Sequence, residues 1–161
     1  MSYTELTFPS DLLPEVCGDF CGALEVNNEG VPFSLSDTAG GSEWDGTRVL
    51  MYPHTDLFLL AFSVADPVSF SLVRAKWWPE IRRHCPSAAV VLVGTKVDLR
   101  GSGRPLVSAG EGERLAAEIQ AAHYLECSAL TRTGLMELFD TAIKTALYHR
   151  HHTPNKHCNL L

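Results

Sequence analysis

The chain is short of positive charge and has no long apolar run, and each absence closes off a class of function. Its 13 Lys and Arg are outnumbered by 19 Asp and Glu, for a net charge of −6. That balance lacks the basic face a nucleic-acid binder presents, so no nucleic-acid partner is expected. No apolar stretch approaches the roughly 18 residues needed to span a bilayer. The five cysteines (Cys17, Cys21, Cys85, Cys127 and Cys158) are odd in number and scattered, and none of their spacings resembles a zinc site. No signal-peptide pattern accompanies them, so they read as reduced cytosolic thiols. Internal repeats and low-complexity tracts are also lacking. What remains is ordinary: 45% hydrophobic and 20% charged residues in a chain of 161, enough for one domain with a real core.

Along the chain, residues 1–20 read as an extended loop. Pro9 and Pro14 disfavour helix at the residues before them, and Gly18 follows. Cys21 to Val26 and Val31 to Ser36 form a predicted hairpin around Asn27-Asn28-Glu29-Gly30, with Val31, Phe33 and Leu35 on one face. Ser42 to Met51 is irregular to weakly helical. Leu57 to Val64 is an apolar run, expected to be a buried strand. Asp66 and Pro67 open a helix predicted to run to about His84, with Val73, Trp77 and Ile81 on one face, until Pro86 stops it. After a strand at 90–95 and a Gly/Ser/Pro loop at 101–110, a helix is expected over 111–122 with Leu115 and Ile119 inward. A short strand at 124–127 and a final helix at 134–148 follow, the helix burying Leu135, Leu138, Phe139, Ala142, Ile143 and Ala146. Residues 149–161 read as a polar tail. Alternating strand and helix from residue 57 onward implies parallel βαβ units, hence an α/β fold with a mostly parallel sheet flanked by helices.

The organising stretch is Val90-Val91-Leu92-Val93-Gly94-Thr95-Lys96-Val97-Asp98-Leu99. Its continuous apolar run reads as a strand buried on both faces. Lys96 and Asp98 lie just past its carboxyl end, either as a charged exit from a core strand or at the edge where open α/β sheets bind ligands. Two other strand exits share that character, Asp37-Thr38-Ala39-Gly40 and Glu126-Cys127-Ser128-Ala129-Leu130. In this order, each after a strand, the three resemble the G-protein fold, and the chain closely resembles a Rho-family small GTPase of the Ras superfamily. Phe8-Pro9, Arg74-Ala75-Lys76-Trp77, His84-Cys85-Pro86, Tyr124-Leu125-Glu126-Cys127-Ser128-Ala129-Leu130 and the terminal Cys158-Asn159-Leu160-Leu161 extend the resemblance over nearly the whole chain.

That resemblance implies a guanine site. Asp98 would accept two parallel N–H bonds from the guanine edge, where adenine offers the opposite pattern. Lys96 would lie over the ring, and Thr95 stands where many small GTPases carry Asn. Phe8 would pack edge-on against the base or serve only as a loop anchor. Ser128, Ala129 and Leu130 match the loop whose Ala129 amide faces the guanine oxygen. Asp37 and Gly40 match the phosphate side, with Asp37 reaching Mg²⁺ through water. The implied cofactors are GTP or GDP and Mg²⁺.

The phosphate half departs from the family. No G-x-x-x-x-G-K-S/T occurs in the 161 residues; in the family its amides and Lys cradle the phosphates and its Ser/Thr binds Mg²⁺. Met1-Ser2-Tyr3-Thr4 matches the end of the helix after that loop. The expectation is therefore an incomplete G-domain over 1–148, truncated so that the usual first, central strand and the phosphate loop are missing. The strands at 31–37 and 57–64 would then present unpaired edges or close on each other, either of which lowers stability and invites association. Glu15 replaces the switch I Thr that binds Mg²⁺, and a carboxylate beside a phosphate is repulsive. Cys17-Gly18-Asp19-Phe20 replaces the usual aromatic-acidic effector pattern. Gly41 replaces the Gln that orients the attacking water, so no catalytic residue is assigned and hydrolysis is expected to be crippled. Bonds to a charged phosphate are each worth roughly 1.5–3 kcal/mol, so losing about five costs at least about five decades of affinity.

At the carboxyl terminus, Cys158-Asn159-Leu160-Leu161 fits C-a-a-X with X = Leu, implying a geranylgeranyl chain on Cys158. A single prenyl group anchors reversibly and needs a second signal. Here that signal is a weak patch of Arg150 and Lys156 among His149, His151, His152 and His157, which gains charge near pH 5–6. A solvated tail is the simpler reading of the histidines and a metal site the other. The implied partners are a membrane, Rho-type regulators and prenyl-binding carriers. The implied location is the cytoplasmic face of the plasma membrane or endomembranes, with a cytosolic pool. The short 101–110 loop lacks the extra helix that Rho proteins carry there, which would lose partners that use it. Two functions compete: a Rho-type GTP-binding signalling protein of the cytoskeleton and polarity class, defective in nucleotide binding and hydrolysis, and a prenylated pseudo-GTPase that works without nucleotide.

Overall fold

A computed structural model of the chain describes residues 18–26, 28–101 and 106–152. Phe8, Glu15, Cys17 and Cys158 lie outside the described residues, as does most of the expected N-terminal loop. Two antiparallel strands come first, β1 (Gly18–Val26) and β2 (Glu29–Asp37), in register from Gly18 opposite Asp37 to Val26 opposite Glu29. The turn is tighter than expected, because strand pairing resumes at Glu29. Asn28 supports this by adopting the left-handed conformation (φ 64°) that Asn tolerates. Val31, Phe33 and Leu35 are half-buried between exposed neighbours, as their alternation predicts.

The parallel sheet holds three strands in the order β3 (Leu57–Ser63), β4 (Ala89–Thr95), β5 (His123–Glu126). β4 is central. Every residue from Ala89 to Gly94 is buried, which is what an apolar run covered on both faces requires. One core cluster joins Leu60, Phe62, Val90 and Leu92 to Val73, Ile81, Leu115 and Ile119. On the other face Val91 and Val93 pack with Cys127, Leu135 and Leu138. The fold is thus the expected α/β class, a parallel sheet flanked by helices and consistent with a G-domain.

β3 departs from expectation. Only Leu60 and Phe62 are buried in it and Ala61 is exposed. The reason is topological: β3 pairs with β4 on one side, while the β1–β2 hairpin forms its own sheet. Among the described residues, β2 and β3 do not close on each other.

The helix expected over 66–84 is also more complex. Asp66 caps it as foreseen, accepting from the Val68 and Ser69 amides, with Pro67 in the first turn. It then divides into α2 (Pro67–Leu72), a π-helical turn (Val73–Trp77) and α3 (Trp78–His84). Pro79 supplies the cause: it has no N–H to give the Ala75 carbonyl, and its ring would clash there in α-helical register. A wider turn relieves both problems. It also brings Lys76, Trp77 and Glu80 to one side, facing the short helix α1 (Asp45–Arg48), which sits between 3-10 turns at Ser42–Trp44 and Val49–Met51.

α4 (Ala109–Glu118) begins on a capping box in which the Ser108 hydroxyl accepts from the Glu111 amide and the Glu111 carboxylate accepts from the Ser108 amide. It ends before the expected residue 122, since Gln120 turns left-handed (φ 54°). Gly112 makes room for Tyr124, whose ring atoms would lie 2.1 Å from an added Cβ. α5 (Leu135–His152) buries Leu135, Leu138, Ala142 and Ile143, and half-buries Phe139 and Ala146. It continues through His152, four residues into the segment read as tail. The last turn collects His149, Arg150, His151 and His152, cationic or titratable groups suited to a helix carboxyl end.

Candidate functional site

Because β4 and β5 are parallel neighbours, their carboxyl ends open on one edge, and the two exit loops are tied together there. The Cys127 amide donates to the Gly94 carbonyl (2.8 Å) and the Val97 amide to the Cys127 carbonyl (3.3 Å). Thr95 turns its hydroxyl inward onto the Phe62 carbonyl (2.9 Å), which also pins the end of β3. Lys96 then takes the left-handed conformation (φ 62°, ψ 37°) with an exposed side chain. Such backbone is uncommon for a residue with a Cβ and persists where its surroundings hold it. It reverses the chain into the 3-10 turn Val97–Leu99, which carries Asp98 back toward β5.

Asp98 meets Ser128 there. The Ser128 hydroxyl, fully buried, donates to Asp98 Oδ1 at 2.5 Å and accepts from the Thr131 amide at 3.1 Å. Asp98 Oδ2 has no partner among the described residues. Ala129 and Leu130 follow, both exposed. The loop closes with the Ser128 amide on the Thr133 carbonyl (2.9 Å) and with Gly134 at φ 69°, where a Cβ would lie 2.3 Å from the Glu126 carbonyl oxygen. Arg100 adds a brace from the far side of the turn. Its Nη2 lies 2.5 Å from Glu126 Oε1 and its Nε 3.2 Å from Oε2, while the Tyr124 hydroxyl donates to the same Oε1 (2.7 Å). Burial, then that carboxylate, pushes the Tyr124 hydroxyl well above its ordinary pKa. Burial likewise pushes up the Cys127 thiol beneath the loop, so it is no ready nucleophile.

The third exit is held elsewhere. Asp37 ends β2 exposed, Gly40 is exposed, and among the described residues no side-chain hydrogen bond or ion pair links them to Asp98 or Ser128. An added Cβ on Gly41 would sit 2.5 Å from the Glu43 carboxylate oxygens, which lie over that position. The turn is gripped by Arg48, 3% exposed. Arg48 Nη1 donates to the Ala39 carbonyl (3.0 Å) and, more weakly, to the Gly41 carbonyl (3.5 Å). Nε and Nη2 fork onto Glu80 (3.0 and 2.9 Å), and Nη2 also reaches Asp45 (2.6 Å). The guanidinium lies over the Trp77 ring, as does Lys76, which pairs with Asp45 at 2.9 Å. Arg48's hydrogen bonds hold the Glu80 carboxyl below its ordinary pKa, against the opposing effect of burial. Burial and Glu80 push the Tyr52 hydroxyl, 2.6 Å from Glu80, up to about 12.

Of the candidate residues, then, the structure gathers Thr95, Lys96, Asp98, Ser128, Ala129 and Leu130 at one edge and places Asp37, Gly40 and Gly41 in a separately braced turn. Arg48, Glu80 and Arg100 carry no sequence signal of their own, because they act through partners as many as 32 residues away, and Glu126 stood only as part of the β5 exit. The Asp98 carboxylate, with one oxygen unengaged among the described residues, can accept from a group that presents two parallel N–H donors. Among the described residues no group of three His, Cys, Asp or Glu is placed to hold an ion. Mg²⁺ keeps several waters and takes only one or two carboxylates, so here Asp37 would hold it together with phosphate oxygens.

The parallel sheet flanked by helices, with two polar exit loops joined at its carboxyl edge, is consistent with a G-domain. A family model, Ras family, matches residues 1–148, and the chain belongs to that family of small GTPases. It is by family a small GTP-binding protein, of a class that uses GTP or GDP with Mg²⁺.

Proposed function

We propose that the chain is a Rho-type small GTP-binding protein of membrane-associated signalling, in the cytoskeleton and polarity class, whose 161 residues recognise guanine without gripping the phosphates. The observation that carries this reading is the Asp98–Ser128 pair at the β4 and β5 exits, set by left-handed Lys96. The Ser128 bond fixes the carboxylate and leaves Oδ2, with the remaining lone pair of Oδ1, for the paired donors of a guanine edge. Lys96 supplies an exposed stem and charge beside it.

The phosphate side supports weakness. The sequence holds no G-x-x-x-x-G-K-S/T, and Gly41 has no side chain to orient water. These same facts favour the second reading, a pseudo-GTPase that works by interaction and without nucleotide. In either reading a geranylgeranyl group on Cys158 attaches the chain to the cytoplasmic face of a membrane, and prenyl-binding carriers and Rho-type regulators are its partners. No helix among the described residues is long and apolar enough to cross a membrane itself.

Titration with fluorescent GDP in the presence of Mg²⁺ tests the proposal. The expected result is no saturable binding in the sub-micromolar range, and sub-micromolar affinity overturns it.

A further inference from the structure

We infer that the carboxyl end of α5 is a contact for an anionic lipid surface, one that strengthens as the histidines there gain protons. This second attachment goes beyond the prenyl anchor proposed above and needs neither nucleotide nor any lipid on Cys158.

Charge is segregated along the chain. Every Lys, Arg and His lies at Arg48 or beyond it, and no Asp or Glu follows Asp140. From Thr141 to Leu161 the charged side chains are Lys144, Arg150 and Lys156, joined by His149, His151, His152 and His157. Lys156 and His157 lie outside the described residues. A chain of net charge −6 is repelled as a whole by an anionic surface, so attraction has to come from this end.

The helix presents part of that set to solvent. Its fully buried residues end at Ile143, and residues 144–152 continue the helix beyond them. Tyr148 is 66% exposed there, with its ring stacked on His152 at 4.0 Å. His152 Nδ1 lies 2.8 Å from the Tyr148 carbonyl, a contact that a protonated ring satisfies by donating. Arg150, His151 and His152 are exposed. An amphipathic aromatic ring beside cationic groups is what membrane interfaces favour.

The surroundings leave this charge standing. Lys144 is paired with Asp140 (2.7 Å), but among the described residues no carboxylate is ion-paired with Arg150, His151 or His152. Of the elements packed on α5, β3 and β4 contain no charged residue, and β1 brings Asp19, Glu25 and the Cys21 thiol. Asp19 accepts from the Ser36 hydroxyl across the hairpin (2.5 Å), and Glu25 is exposed. On α5 itself Glu137 and Asp140 sit in the first two turns. Asp140 is about 16 Å from His151 along the axis, beyond the screening length of about 8 Å at physiological salt. Histidines charge between about pH 8 and 5, so acidification adds cations beside Arg150, and each one adds to the attraction.

Co-sedimentation of the full, unprenylated chain with vesicles tests this at pH 7.5 and 5.5, in EDTA and without nucleotide. The vesicles hold about 30% phosphatidylserine in phosphatidylcholine, or phosphatidylcholine alone. Partition onto the anionic vesicles should rise at least about tenfold at pH 5.5, fall back in about 0.5 M salt, and be lacking on neutral vesicles. Changing His149, His151, His152 and His157 together to Gln should abolish the rise. Changing the same four to Arg should give strong binding at both pH values. His54→Asn with His123→Gln should keep the rise, which separates the α5 end from the general loss of negative charge in acid. Should the Gln variant fail to fold, the Arg variant decides, and a tenfold rise persisting in it counts against the inference. Equal wild-type partition at the two pH values, a rise that survives in a folded Gln variant, equal binding to neutral vesicles, or binding that appears only when Zn²⁺ replaces EDTA overturns it. Because no nucleotide is present, none of these outcomes bears on guanine recognition.

Discussion

Asp98 and Ser128 stand 30 residues apart in the chain and share a 2.5 Å hydrogen bond at the carboxyl edge of the parallel sheet. The bond couples the β4 exit to the β5 exit, and Ser128 is buried while Asp98 is only half-buried. The carboxylate is thereby aimed rather than hidden.

Ser128→Ala is expected to act twice. It leaves the Thr131 amide without its acceptor and frees Asp98 to turn away. The cost of an unmet buried hydrogen bond is about 1–3 kcal/mol, which chemical denaturation would read as a lowered midpoint. Guanosine binding, followed by chemical-shift titration, should weaken by roughly tenfold. Asp98→Ala should abolish the guanosine response with a smaller effect on stability, because that residue is more exposed. Equal guanosine binding in wild type and Asp98→Ala would contradict the assignment.

Glu80 makes stability depend on pH in a definite direction. Its folded carboxyl sits below the ordinary value of 4.5, first because of the Arg48 hydrogen bonds. A depressed carboxyl contributes fully above its unfolded pKa and loses that contribution as pH falls through the folded one. The stability gap between wild type and Glu80→Gln should therefore be largest above pH 4.5 and shrink below it. Urea midpoints of both proteins between about pH 3 and 7 check this. A gap that stays constant, or widens in acid, contradicts the ion-pair account.

β3 predicts self-association. Seven residues, Leu57–Ser63, carry no charge and pair on one side only among the described residues. Natural edges are usually blunted by Lys, Pro or bulges, and this one has none. Wild type should associate with rising concentration in analytical ultracentrifugation. Ala61→Lys, at the exposed position of the strand, should shift the protein toward monomer. A wild type that stays monomeric at high concentration would show that the edge is covered.

Much of this architecture was legible because burial writes itself into hydrophobic pattern. β4, the Asp66 cap, the inward face of α4 and the α5 stripe follow directly from their sequences. The partial exposure of β3 did not, because an apolar run does not say how completely its faces are covered, although an unpaired edge on that strand was expected. The break in the 66–84 helix was also hidden: the Val73, Trp77, Ile81 spacing outweighed Pro79, whose missing N–H forces the π turn. At the site, Lys96, Asp98 and Ser128 could be named from motif resemblance. Arg48 could not, since nothing local marks a guanidinium that draws Ala39, Asp45 and Glu80 together across the fold. Arg100 was missed for the same reason, and Glu126 was named only as the start of a strand exit, without its partners.

The central claim is that these residues read a base and do not hold phosphates. The most direct measurement compares the affinities of guanosine, GDP and adenosine for the full chain in Mg²⁺, under one set of conditions. The account predicts that guanosine and GDP bind with similar, weak affinity and that both bind better than adenosine. GDP bound about a hundredfold or more tighter than guanosine, equivalent to about 2.7 kcal/mol, would reveal a phosphate grip and contradict it.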